Sequence, residues 1–170
     1  GKEQVRVSRL DLDVVDSQED FSKAPKFLEA KTGKTYWSPV YLKNESEPYT
    51  TLAIPVGKYA VEVTTAEISL RAVQKLVSQI DVGPGGYAYV VDARNHLVAH
   101  PDNRVLRENR DLSALAQVRA ARADGSAPAD APVAMVADGL AGGRVLAAHA
   151  VIAPLGWFVF VGARAARPYA

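Results

Sequence analysis

Cysteine is absent from this chain of 170 residues, which rules out structural disulfides, thiolate zinc sites and a cysteine nucleophile. The absence fits an oxidising or a reducing compartment equally well. An excess of one charge is also lacking: 20 Lys and Arg face 19 Asp and Glu, for a net charge of +1. No long-range field therefore draws in nucleic acid or a strongly acidic partner. The basic stretch Arg104, Arg107, Arg110, Arg119 and Arg122 is balanced by Glu108, Asp111 and Asp124. No apolar run reaches the roughly 18 residues that a spanning helix needs, and no secretory leader opens the chain. Gly1-Lys2-Glu3 reads as a cut end.

Catalytic signatures are missing too. There is no GxSxG elbow, Walker loop, HExxH pair or dinucleotide fingerprint. Gly83-Pro84-Gly85-Gly86 precedes a predicted strand rather than a helix, so it makes no phosphate cradle. His96 and His100 would lie about 13 Å apart on a strand, too far to share a metal ion. The chain is read as non-enzymatic, with no cofactor and no metal; a structural or protein-interaction module and a small hydrolase or lyase are the alternatives. What it does have is 48% hydrophobic and 23% charged residues, the balance of a globular protein able to bury a core as one domain or two small ones.

The most informative stretch is Gly83 to Asp102, GPGGYAYVVDARNHLVAHPD. Tyr87–Val91 and Leu97–Ala99 are rich in aromatic and β-branched residues and predict two strands. Asp92-Ala93-Arg94-Asn95 supplies turn formers, among which Asn accepts a left-handed backbone. Pro101 ends the second strand. A β-hairpin results.

Upstream, Val5 to Val15 alternates imperfectly and predicts one strand, irregular near Arg9. Ser22 is placed to cap a short helix, with Pro25 in its first turn, Phe27 and Leu28 facing a sheet, and Gly33 past its end. Thr35–Leu42, Tyr49–Val56 and Tyr59–Thr64 predict an antiparallel set, the first two joined by polar Lys43 to Pro48. Thr64-Thr65-Ala66-Glu67 has capping-box spacing. A helix over Glu67–Ile80 is expected behind it, burying Leu70, Val73, Val77 and Ile80 with Leu76 beside them.

Downstream of the hairpin, Asn103 to Asp111 reads as loop and Leu112–Arg122 as a helix packed through Leu112, Leu115 and Val118. Asp124 to Pro132 reads as a turn. Val133–Val136, Gly143–Ile152 and Gly156–Gly162 read as strands. The fold class expected is α+β, with antiparallel sheets under helical cover. Every lysine lies at or before Lys75, whereas later basic residues are arginine. We divide the chain into a module over 1–66, a connecting helix over 67–82 and a second module over 83–170.

DFSKAPKF, YWSPVYLKNESEPYTTLAIPV, VTTAEISL, GYAYVVDARNHLVAHPD and LGWFVFVGA together resemble the double Cache, PAS-like sensor domains of bacterial histidine kinases and cyclases. These stretches cover most of the chain, and the hairpin is the most specific. The resemblance implies a periplasmic ligand sensor of a homodimeric inner-membrane receptor in a two-component system. It also implies a truncated first module, missing its long N-terminal helix, that binds a small organic acid, amino acid or amine. In amino-acid-binding members an Arg and a Trp occupy the segment matching Ala24 to Phe27; here Phe27 is the aromatic and no Arg is present. Glu67 stands where those members carry an amine-binding acid.

The residues themselves nominate Tyr36, Trp37, Tyr41, Glu47 and Tyr49 as an aromatic and acidic cluster able to wall a small-ligand site. In a single straight strand Trp37 and Tyr41 would share one face and Tyr36 the other. The same residues also suit the core and rim of a small sheet. Arg9 is suited either to a ligand carboxylate or to an ion pair with Asp11 or Asp13. Glu67 is suited either to the capping box or to a ligand amine.

Overall fold

The computed structural model describes residues 1–9, 11–44, 47–57, 62–108, 110–124, 134–140, 142–153 and 155–164. In chain order the elements are β1 (Val5–Arg6), β2 (Val14–Val15), α1 (Pro25–Lys31), β3 (Tyr36–Trp37), β4 (Tyr41–Lys43), β5 (Glu47–Val56) and β6 (Glu62–Ser69). There follow α2 (Arg71–Gln79), β7 (Tyr87–Val91), β8 (Leu97–Ala99), α3 (Asn103–Arg107), α4 (Ala116–Asp124), β9 (Met135–Asp138), β10 (Arg144–Ile152) and β11 (Trp157–Arg164). The class is α+β, as the strand and helix patterns predict. Two compact units form: Gly1–Ser38 with Thr51–Ile68, and Pro39–Thr50 with Ser69–Ala170.

In the first unit the expected single strand over Val5 to Val15 is instead two short strands folded back on each other, Val5 opposite Val15 and Arg6 opposite Val14. The intervening loop makes its own bonds: Ser8 N–H donates to Asp13 Oδ1 at 2.9 Å and Asp11 N–H to Ser8 Oγ at 2.9 Å. Such local side-chain acceptors compete with a ladder and break it. Leu10 lies outside the described residues.

Helix α1 is capped by Ala24 without a side-chain bond, not by Ser22, whose own N–H is taken by Asp20 Oδ1 at 2.8 Å. Pro25 occupies the first position, where its missing N–H costs nothing. Gly33, at φ +88°, follows the C-cap Thr32 as predicted. Ala30 is the buried residue of this helix, while Leu28 is exposed rather than anchored.

Strand β6, paired with β5, runs on to Ser69. Thr64-Thr65-Ala66-Glu67 is therefore strand, and the capping box does not form. Val63, Thr64 and Thr65 are β-branched and suit a ladder, and their strand pairs with β5. Helix α2 begins at Arg71 with Leu70 as an unassisted cap. Residues 59–61, part of the predicted third strand, lie outside the described residues.

The second unit is built on a five-stranded antiparallel sheet in the order β8-β7-β11-β10-β9. The hairpin forms where predicted. Asp92 Oδ1 accepts from the N–H groups of Arg94 and His96 at 2.8 and 2.9 Å, and Asn95 takes φ 69°. Gly86 permits the close entry into β7, since a Cβ there would meet Val82 Cβ at 2.9 Å.

Both faces of this sheet are buried. Tyr89, Val91, Phe158 and Phe160 pack on one side with Leu97, Leu106, Leu112 and Val118. Ala88, Val90 and Trp157 pack on the other with Leu70 and Val77. A bulge between Val90 and Val91 lets Val98 and Ala99 both join that second core.

Helix α3 replaces the predicted loop because Asp102 caps it, accepting from Arg104 N–H at 2.8 Å. Helix α4 starts at Ala116, later than predicted. Its Arg122 donates to Asn95 Oδ1 (2.9 Å), to Gly156 O (2.8 Å) and to Asp92 O, with its guanidinium 4.5 Å from the Phe158 ring centroid. One side chain thus pins the helix to two turns of the sheet. Asp124, the first residue of the predicted turn over Asp124 to Pro132, ends α4, and the rest of that turn lies outside the described residues.

Phe160 is fully buried and its ring stacks on Tyr89 at 5.0 Å, whereas Leu76 is 64% exposed despite its place in the predicted apolar set. Phe160→Ala is expected to cost about 3–5 kcal/mol in urea unfolding. Leu76→Ala should stay within about 0.5 kcal/mol of the parent.

Candidate functional site

The nominated residues divide between the units. Arg9, Tyr36, Trp37 and Glu67 belong to the first. Arg9 is exposed in the β1–β2 loop, Tyr36 and Trp37 are half-buried in β3, and Glu67 is exposed on β6. Tyr41, Glu47 and Tyr49 belong to the second. Tyr36 stands opposite Ala53 and Trp37 opposite Leu52, while Tyr41 stands opposite Tyr49. That register holds one residue more than straight pairing allows between Trp37 and Tyr41. Residues 38–40 are not strand, so the single straight strand expected from Thr35 to Leu42 is two, β3 and β4.

Tyr41, Glu47 and Tyr49 are brought together by the β4–β5 pair. The Tyr41 and Tyr49 rings stack with centroids 6.4 Å apart and planes at 26°. Lys43, opposite Glu47 in the register, sets its Nζ 4.9 Å from the centroid of Tyr49. Glu47 Oε1 accepts from Arg71 Nη2 at 2.6 Å, with the two side chains 25% and 76% exposed. The result is an aromatic wall carrying one carboxylate and two cations.

Sequence reasoning missed Lys43 and Arg71. Cross-strand pairing through a tight hairpin could have signalled Lys43. Arg71 comes from a separate element, and no local pattern links it to Glu47.

Helix α2 is joined to both the cluster and the sheet. Leu70 N–H donates to Pro48 O at 2.8 Å. Gln74 reads both backbone groups of His100: its Oε1 accepts from His100 N–H at 3.0 Å and its Nε2 donates to His100 O at 2.6 Å. The same Nε2 lies 2.9 Å from Asn103 Oδ1. Beside this clamp an open groove of about 670 Å³ is lined by residues that include Arg71, Gln74, Lys75, Ser78, Pro101 and Asn103.

His100 is itself largely buried, edge-on to Tyr87 at 5.2 Å, and its Nδ1 accepts from Asp102 N–H at 3.0 Å. Burial pushes its pKa below the ordinary histidine value, against smaller raising effects of Asp102. On the other face, Gln117 Nε2 donates to Asp138 O at 3.0 Å and to the Tyr89 hydroxyl at 3.3 Å, and burial raises the Tyr89 phenol. His149 packs between Phe158 and Phe160, with ring centroids 5.7 Å from each. Among the described residues no three His, Asp or Glu side chains are grouped to hold a metal ion.

Because the folded state disfavours His100 protonation, the unfolded chain binds that proton first as pH falls. The contribution is complete above the unfolded value near 6.5 and is lost as pH drops from there toward the lower folded pKa. Melting temperature should therefore fall more between pH 7.5 and 5.5 for the parent than for His100→Gln.

A family model described as Cache domain (dCache_1) matches residues 3–169. No curated protein matches the chain. Among solved structures, the extracellular domain of a protein assigned as a histidine kinase, mmHK1S-Z2, is similar with TM-score 0.69 and 16% identity. The match covers 94% of this chain and 62% of that one. The ligand-binding domain of the Pseudomonas aeruginosa PAO1 amino acid chemoreceptor PctC, solved with GABA, gives TM-score 0.61 and 15% identity, covering 89% and 66%. That of PctB from the same organism, solved with L-Arg, gives 0.58 and 21%, covering 87% and 57%. The chain thus spans under two thirds of each of these domains.

Proposed function

The chain belongs to the Cache domain family, and from that premise we propose that it is the extracytoplasmic ligand-sensing region of a bacterial transmembrane receptor, a histidine kinase being the parent that best suits it. The observation that carries the reading is the stacked Tyr41–Tyr49 wall with Lys43 and Glu47 at its edge. Rings of this kind offer a small polar molecule an apolar surface with fixed charges at its margin. The GABA and L-Arg in the PctC and PctB structures support a ligand of that size and polarity. Organic acids, amino acids and amines are the classes to test. Arg9, Tyr36, Trp37 and Glu67 are ligand residues of this proposal on sequence grounds.

In the same reading, 1–66 is the membrane-distal module, 67–82 the connection and 83–170 the membrane-proximal module of a homodimeric receptor. Turnover of the ligand plays no part in it. Among the described residues no helix is long and apolar enough to cross a membrane. Signalling requires the ligand to bind one conformation more tightly than another. Helix α2 is the element through which β5 reaches β8 within the second unit, by way of Pro48–Leu70 and Gln74–His100.

A second reading, a protein-interaction module without a small ligand, is favoured by the exposed apolar side chains of the first unit. Val5, Val7, Leu12 and Val15 are 61, 77, 88 and 75% exposed. A thermal-shift screen with organic acids, amino acids and polyamines separates the two. A hit whose stabilisation disappears in Tyr49→Ala or Trp37→Ala supports the sensor. A hit that is indifferent to both variants sinks the site assignment, and silence across the screen favours the interaction module.

A further inference from the structure

The groove beside α2 has a one-sided chemistry. Its lining holds two cations, Arg71 and Lys75, and no acid. These residues stand four apart on the helix, so they are neighbours on one face, roughly 5–6 Å between Cβ atoms. Asn103 adds an amide to the lining, with its Oδ1 accepting from Gln74. The acid next in sequence, Asp102, is already bound by Arg104 through three contacts at 2.8, 3.3 and 3.2 Å. Gln74 is held by both backbone groups of His100, so the wall is set before any ligand arrives.

Glu47 has a different place from the one its sequence context suggests. Its Oε1 engages Arg71 through Nη2, and a guanidinium has five N–H donors. The carboxylate thus gives the exposed guanidinium one anchor and leaves it donors to spare. We propose that the α2 groove binds a small carboxylate anion, with Arg71 and Lys75 as its cationic contacts and Glu47 as the residue that positions Arg71. The inference rests on the reading of the chain as a sensor of small polar molecules and narrows the ligand to an anion. An amine would meet two like charges and would have to displace Arg71 from Glu47.

The test is a succinate titration followed by ¹⁵N NMR, with succinamide as the uncharged isostere. Succinate should shift the amides of Arg71, Gln74, Lys75, Ser78 and Asn103, weaken at 0.5 M salt, and leave succinamide without effect. Arg71→Gln and Lys75→Gln should each lower affinity about fivefold, the most that one exposed ion pair supports. Glu47→Gln should weaken binding in the parent and not in the Arg71→Gln background, a coupling that loss of fold would not produce. Equal shifts with succinamide, no shifts in the groove, or shifts that survive both α2 variants overturn the proposal. Shifts confined to residues 41–49 overturn the groove while leaving the aromatic cluster as the sensing site. Groove binding with Tyr49→Ala indifferent to every ligand does the reverse.

Discussion

Strands β7 and β11 are buried on both faces, and most of the second unit follows from that. In their register Phe160 stands opposite Tyr89 and Phe158 opposite Val91. A slip of one residue would move those rings into the core under α2 and send Val159 and Val161 to the other side. Neither core has room for the exchange, because each is closed by helix side chains: Leu106 and Val118 on one face, Leu70 and Val77 on the other. Arg122 adds an angular constraint. Its bonds to Asp92, Asn95 and Gly156 tie α4 to the ends of three strands, and these acceptors compensate the partial burial that lowers its pKa.

Helix α2 is the link between this sheet and the aromatic strands β4 and β5. Its exposed ion pair with Glu47 contributes little stability, no more than about 1 kcal/mol. The firmer attachments are apolar and backbone-directed: Leu70 in the core, Leu70 N–H on Pro48 O, and the two-sided grip of Gln74 on His100. Mechanical continuity thus comes from buried contacts, whereas the charged groups around Arg71 are exposed enough to respond to a ligand.

Much of the fold was readable from local chemistry. The hairpin formed where predicted because Asp92 and Asn95 are turn residues for reasons internal to that turn. Pro25 and Gly33 bracket α1 in the same way. The failures have a common cause. Thr64–Glu67 has cap spacing and also β-branched residues, and pairing with β5 decided between them. Val5–Val15 has strand-like alternation, but the Ser8, Asp11 and Asp13 bonds made a loop. Leu76 and Ile80 fit the helical stripe, yet both stay exposed while Leu70, Val73 and Val77 pack into the core.

The candidate site shows the same division. Sequence alone determined its ingredients, Tyr41, Glu47 and Tyr49, because aromatic and acidic residues concentrated on adjoining strands are visible in one dimension. It also determined what the chain lacks: thiol chemistry, a recognisable catalytic motif and a strong net field. Tertiary structure decided the rest. The expected strand over Thr35–Leu42 divided into β3 and β4, and Arg71, 24 residues from Glu47, arrived as its partner. Strand register and long-range ion pairs depend on where separate elements pack, and packing is a property of the whole core rather than of any local run of residues.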